Sequence, residues 1–219
     1  TEQLFAIGAG DRIVGTTEHA DYPPAAAAIP RVGRAHSLDL ERIAALHADL
    51  IVIWGSGFPP ATIASVAQLG VPVFISEPRA LADVARSLER LGVLTGQNGA
   101  PAGAQFSAKV ESLRRQYAAR PTVRVFYLVW ASPLMTLSGR HVISEAIQLC
   151  GGRNVFEGLV PVAPQVSVEA VLAADPQLIV TAEPGGSASP ALAMYCTTPR
   201  TRRTSRCVSP RTWARNGSV

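Results

Sequence analysis

The stretch "TTEHADYPPAAAA" (residues 16–28) sets His19, Asp21 and Tyr22 ahead of a proline pair. An imidazole in such a loop could coordinate a metal, carry a proton or hydrogen-bond to a ligand. The other three histidines offer it no partners. His36 and His47 lie eleven residues apart around one predicted helix, and His141 stands at a predicted helix start. Solvated or capping roles account for those three, and a three-histidine metal site would have to be gathered from distant loops. Cys150, in "IQLCGG", reads as a small buried apolar residue with no histidine placed to activate it. "GAGDRIVG" (8–15) carries a Gly-x-Gly, but ahead of its predicted strand, where a dinucleotide fingerprint needs it afterwards. The chain has no phosphate loop, no Gly-x-Ser-x-Gly elbow and no His-Glu-x-x-His. A nucleotide-dependent transferase on an α/β scaffold is disfavoured by those gaps.

The remaining candidates are aromatic or small. Tyr22, Trp54, Gly55, Gly57, Phe58, Trp130 and Pro133 fall in predicted loops, with Ser56 and Leu134 beside them. Rings supply large contact area at low entropy cost, and glycines let backbone approach a bulky ligand. The set suits a large, partly apolar ring system better than a small ion. The competing reading is that Trp54 and Trp130 merely cap their strands.

Short β-branched runs position these loops. "DRIVG" (11–15), "ADLIVIW" (48–54), "VPVFIS" (71–76), "VRVFYLV" (123–129) and "PQLIVTA" (176–182) read as buried strands. Residues 37–47, 60–70, 79–92 and 144–152 read as helices, several stopped by glycine. Such alternation predicts parallel sheets with helices on both faces. "DLERIAALHADLIVIW" (39–54) aligns without gaps to "SVEAVLAADPQLIVTA" (167–182), so the helix–strand unit occurs twice. Between the copies, Phe106, Val110, Leu113 and Tyr117 make one apolar stripe over residues 100–121. A helix of about 18 residues there would run about 27 Å at 1.5 Å per residue. Ligands of open α/β sheets bind beyond the carboxyl ends of the strands. That points to residues 15–24, 54–59 and 76–79 in a first lobe and to 130–134 and 183–187 in a second.

The chain of 219 residues is 47% hydrophobic, enough for one large or two small globular domains with cores, and it has no apolar run long enough to span a membrane. Its first residues lack the marks of a signal peptide. The formal charge of +4 is misleading, because residues 195–219 hold six arginines and no acid. Without them, 14 basic residues face 16 acidic ones, so the body carries about −2 and gives no sign of a nucleic-acid partner. That tail has no hydrophobic periodicity and reads as lying outside the fold, as an out-of-frame translation would, rather than as a basic arm for nucleic acid or membrane.

In order, "DYPPAAAAIPRVG", "LDLERIAALHADLIVIW", "VPVFISEP", "VRVFYLVW", "CGGRNVF" and "PQVSVEAVLAADPQLIV" resemble the periplasmic cobalamin-binding proteins of bacterial vitamin import. These belong to the class of ABC-transporter binding proteins with a rigid linking helix, which also carries haem and ferric siderophores. The resemblance covers about residues 2–190. It implies two Rossmann-like α/β lobes joined by one long helix, with the corrinoid held in a cleft between them. It further implies delivery to a membrane permease whose ATPase supplies the energy, and a monomer in the periplasm or lipid-anchored outside the cytoplasmic membrane. The expected divisions are an N-terminal lobe (1–98), a linking helix (99–121), an incomplete C-terminal lobe (122–194) and the tail (195–219). The family's first strand and the end of its second lobe have no counterpart here. Trp54 matches the family's ligand-packing tryptophan, His19 falls where a ligand-contacting tyrosine stands, and Trp130–Leu134 matches the second ligand-facing loop. No acid in "FPPATIAS" (58–65) matches the family's permease-docking residue. Haem is the alternative cargo, with His19 as its axial ligand. Only Arg79 and Arg140 lie near the predicted loops, too few for an anionic siderophore.

Overall fold

The structure is a computed structural model. It describes residues 1–34 and 37–181, together with the backbone of 206–208. Two units divide it. The first comprises Thr1–Pro78 and Ala82–Lys109, and the second Arg79–Leu81 and the chain from Val110 onward.

The first unit opens on α1 (Glu2–Ala6) and a short 3-10 turn at Gly10–Arg12. The strand expected over residues 11–15 does not form. Thr16 makes only a single bridge to Arg31, because the chain turns at Gly8 and again at Gly10 before it can extend. A two-residue antiparallel pair follows, β1 (Gly33–Arg34) and β2 (Ser37–Leu38), so the helix expected from residue 37 starts later, as α2 (Leu40–Ala45). Asp39 sets that start: its carboxylate accepts the Arg42 N–H at 2.9 Å, and an N-cap residue is itself extended. Strand β3 (Ile51–Trp54), helix α3 (Pro60–Ala67) and strand β4 (Val73–Ser76) make a parallel βαβ crossover, with Pro60 suited to the first helical turn.

Helix α4 (Leu81–Leu94) then turns back into α5 (Ala100–Tyr117). Glycines allow the two to touch. A Cβ on Gly99 would lie 2.1 Å from the Leu88 carbonyl oxygen, and one on Gly103 3.1 Å from that of Ala85. The core beneath holds Ile7, Ala9, Leu88 and Leu91, with Val52, Phe74 and Phe106 packed against them. Helix α5 is continuous over 18 residues, and its residues from Val110 onward belong to the second unit.

The second unit is built on β5 (Val123–Leu128), whose last four residues are all buried, as expected of a central parallel strand covered on both faces. Strands β6 (Trp130–Ala131) and β7 (Leu134–Met135) form a tight antiparallel turn. They are followed by α6 (Val142–Leu149), β8 (Gly152–Asn154), α7 (Val168–Ala174) and β9 (Leu178–Thr181). The sheet order is β10–β9–β5–β8, all parallel, where β10 is Arg206–Val208. Those three residues come from the segment read as lying outside the fold, and they add a strand at the edge of β9. The core is Phe126, Leu128, Val171 and Ile179, with Phe156 edge-on to Phe126 at 5.8 Å between ring centroids.

The sequence repeat is a structural repeat. Ser167 caps α7 through its hydroxyl, which accepts the Ala170 N–H at 3.2 Å, as Asp39 caps α2. His47 and Asp175 align in the two copies and both take positive φ, +48° and +43°. Among the described residues they are the only non-glycine positions to do so. Each is the residue where the helix must reverse to feed its strand, a left-handed position that usually belongs to glycine.

Candidate ligand-binding loops

In the first unit the loop from Thr16 to Pro24 is shaped by a residue the sequence reading passed over. Arg31 Nη1 donates to the carbonyl oxygens of Thr17 and Ala20, at 3.0 and 3.1 Å. One guanidinium thus ties both ends of the turn that carries His19. The turn is further held by the Glu18 N–H on the Gly33 carbonyl at 3.1 Å and by the Glu18–Arg34 ion pair at 3.0 Å. His19 is exposed at its tip, and Tyr22, 63% exposed, precedes Pro23 through a cis peptide bond.

The second loop of this unit leaves the end of β3. Trp54 is 51% exposed, and Gly55–Gly57 forms a single 3-10 turn after it. Both glycines are required by close approach. A Cβ on Gly57 would sit 2.8 Å from Trp54 Cε3, so the indole lies directly on that backbone. A Cβ on Gly55 would sit 2.8 Å from Glu77 Oε2 and 3.0 Å from Ile75 Cγ2. The Glu77 carboxylate reaches across from beyond the end of β4 to accept the Ser56 N–H at 2.6 Å. Ile75, 52% exposed, is a further apolar side chain of this loop region that the sequence reading did not single out. It is hard to find from sequence because its alternation with Phe74 in "VFIS" reads as ordinary buried strand.

In the second unit Trp130, 57% exposed, is locked by its own turn: the indole N–H donates to the Ser132 carbonyl at 2.7 Å. Ser132–Pro133 is cis, Pro133 is exposed, and Leu134 is half-buried, with one side packed on the Phe126 core. Strand β7 is held from behind as well. The Val166 N–H donates to the Leu134 carbonyl at 3.0 Å, and the Thr136 hydroxyl to that of Tyr127 at 2.7 Å. The Trp130 turn is therefore held by its own hydrogen bond and from behind.

The other singled-out residues have structural roles or lie elsewhere. His141 caps α6, its Nδ1 accepting the Ile143 N–H at 3.1 Å. His47 is exposed at the end of α2, while His36 and residues 183–187 fall outside the described residues. Burial raises the Cys150 thiol above its ordinary range, the reverse of an activated thiolate. Among the described residues no three metal-ligating side chains converge, and no helix is long and apolar enough to cross a membrane. A cavity of about 410 Å³ in the second unit lies at the opposite, amino-terminal end of β5. Its charged side chains are engaged within the fold: Arg114 by Glu111, Arg120 over the Tyr117 ring, and Glu145 by the Leu81 N–H.

Loops of exposed rings and glycines thus lie at the carboxyl ends of β3 and β5 on an α/β frame, an arrangement suited to holding a ligand. The family of periplasmic binding proteins matches residues 1–198, and the chain belongs to it. Its members carry solutes and are not enzymes. Among curated proteins, the chain is 37% identical over 185 residues to a vitamin B12-binding protein of Vibrio cholerae serotype O1, covering 84% of this chain and 67% of that one. It is 36% identical over 182 residues to that of Yersinia pseudotuberculosis serotype O:1b, with 82% and 65% covered. The chain thus spans about two thirds of the length of these relatives. Among solved structures, the periplasmic vitamin B12 binding protein BtuF of Vibrio cholerae superposes with a TM-score of 0.79 at 32% identity, over 95% of this chain and 83% of that one. The periplasmic haem-binding protein BhuT, in complex with two haems, superposes with a TM-score of 0.77 at 25% identity, over 95% and 84%.

Proposed function

We propose that this chain is the periplasmic binding component of an ABC importer for cobalamin or a related corrinoid. The observation that carries the reading is the 37% identity to a vitamin B12-binding protein over most of this chain, together with the exposed rings of its loops. Trp54 with its Gly55–Ser56–Gly57 turn, Tyr22 and His19 are the contacts assigned to the first unit. Trp130, Pro133 and Leu134 are those of the second. Delivery to a membrane permease with its ATPase, as a monomer that is free in the periplasm or lipid-anchored, belongs to the same reading. No cofactor of the protein's own is required, since the corrinoid is cargo.

The physics of capture is burial of flat surface. Covering the exposed half of a tryptophan removes about 100 Å² from water, worth about 2.5 kcal/mol at about 25 cal/mol per Å². Equilibrium dialysis with cyanocobalamin, and separately with hemin, tests the proposal. Cobalamin retention that weakens about 50-fold in Trp54→Ala is the expected result. Retention of hemin alone, with a Soret shift lost in His19→Ala, would replace corrinoid by haem, a cargo for which BhuT on the same fold is the precedent. Retention of neither ligand refutes both.

A further inference from the structure

We infer that Glu77 is a positioning residue of the ligand site, a role that rests on the corrinoid reading above and deepens it. The Trp54 ring has to be presented at a fixed height and tilt if it is to stack on a flat ligand. Nothing in the strand itself does this, because the indole leaves β3 at its last residue and half its surface is bare. The turn that follows does it instead. Gly57 has no side chain, and its backbone forms the floor under the six-membered part of the indole. The floor is set in turn by the Ser56 N–H, which points at Glu77 Oε2 at 2.6 Å. Gly55 completes the arrangement, since any Cβ there would occupy the space of that carboxylate oxygen. The three small residues after Trp54 thus have separate tasks: Gly55 admits the carboxylate, Ser56 supplies the donor, and Gly57 receives the ring.

Glu77 also ties two strands' ends together. It follows directly on Ser76, which pairs in register with Trp54, so the carboxylate bridges the two carboxyl termini of the β3–β4 pair. A hydrogen bond from a backbone amide to a charged acceptor is shorter and stronger than one between neutral groups. Glu77 has no ring with which to stack on a corrinoid, and it acts on the ligand through Trp54.

The test uses the full chain labelled with 5-fluorotryptophan, whose three indoles are Trp54, Trp130 and Trp213. The Trp54 resonance is assigned by Trp54→Phe. Without any ligand, Glu77→Ala should shift or broaden the Trp54 resonance and leave Trp130 in place, while Glu77→Gln, which keeps a carbonyl acceptor, should restore it. An unmoved Trp54 resonance overturns the inference, as does a collapse of Trp54 and Trp130 together, which would make Glu77 a general support of the fold. With cyanocobalamin, Glu77→Ala should weaken binding about tenfold and Glu77→Gln by no more than about threefold. In a Trp54→Ala background Glu77→Ala should add nothing, whereas effects that multiply would show direct contact with the ligand and overturn the positioning role. If the parent chain binds no cobalamin, the corrinoid reading fails, and the ligand-free spectra still decide the role of Glu77.

Discussion

Replacing Asn154 should unravel the second unit from inside. The side chain is 2% exposed and makes three hydrogen bonds. Nδ2 donates to the Leu137 carbonyl at 2.7 Å and to the Ser144 hydroxyl at 2.8 Å, and Oδ1 accepts the Phe156 N–H at 3.0 Å. Ser144 passes the connection on to the Ser138 carbonyl at 2.8 Å. One amide thus joins the end of β8, the segment that follows β7 and the first turn of α6. Asn154→Ala removes three bonds worth about 1 kcal/mol each and strands a buried carbonyl and a part-buried N–H, so the expected loss is about 3–4 kcal/mol. Against a domain stability of about 5–15 kcal/mol, that corresponds to a fall in Tm of about 10 °C or more. Thermal melts followed by circular dichroism measure it. The double variant with Ser144→Ala should lose less than the sum of the single losses, by at least about 0.5 kcal/mol, because both act in one network. Asn154→Asp adds a check on sign. A carboxylate facing the Leu137 carbonyl favours its protonated form in the folded state, so its folded pKa is raised above the unfolded value. The deficit of that variant against the parent should therefore be largest near neutral pH and shrink as pH falls through the carboxylate range. A drop of less than about 3 °C for Asn154→Ala, or strict additivity with Ser144→Ala, would refute the reasoning.

Arg31→Ala should free the carbonyls of Thr17 and Ala20, and hydrogen exchange should then speed up at the amides of residues 17–21 about tenfold while the β3 amides stay protected. Gly57→Ala should push the indole of Trp54 off its floor, weakening cobalamin retention about tenfold with little change in melting temperature. His47→Gly should stabilise the first unit by about 1 kcal/mol, since a left-handed residue with a Cβ is strained by about that amount. A melt showing no gain would mean the exposed imidazole compensates there.

Much of the frame is legible in the chain because its signals are local. The runs "LIVIW" and "VRVFYL" are too short and too β-branched for helices, and the structure places β3 and β5 in them. The gapless repeat of 39–54 in 167–182 carries over into the structure, where Asp39 and Ser167 cap their helices and His47 and Asp175 make the same backbone reversal. The stripe that begins at Phe106 predicts an uninterrupted helix, and α5 has the expected 18 residues. The expectation fails where local signals conflict. "DRIVG" has strand composition but begins in a 3-10 turn and reaches a bridging partner only past its end, at Thr16, and "SL" before Asp39 is drawn into β2 by pairing with Gly33 and Arg34.

The candidate loops divide in the same way. Residue types in the sequence single out Tyr22, Trp54 and Trp130, because an exposed ring beside glycine or proline at a strand end is a pattern of neighbours along the chain. Which groups hold those rings still could not be read there. Arg31 serves the His19 turn from beyond the proline pair, Glu77 serves Ser56 from the end of another strand, and Asn154 reaches Leu137 and Ser144 across the unit. Each of these is a hydrogen bond of a charged or amide side chain to a group distant in sequence, so it has no periodicity and exists only once packing has brought the partners to within about 3 Å. The chain by itself determined the α/β units, their repetition and the rings they present. Tertiary structure alone decided how those rings are held, because a polar contact depends on position in space and burial on the company a residue keeps.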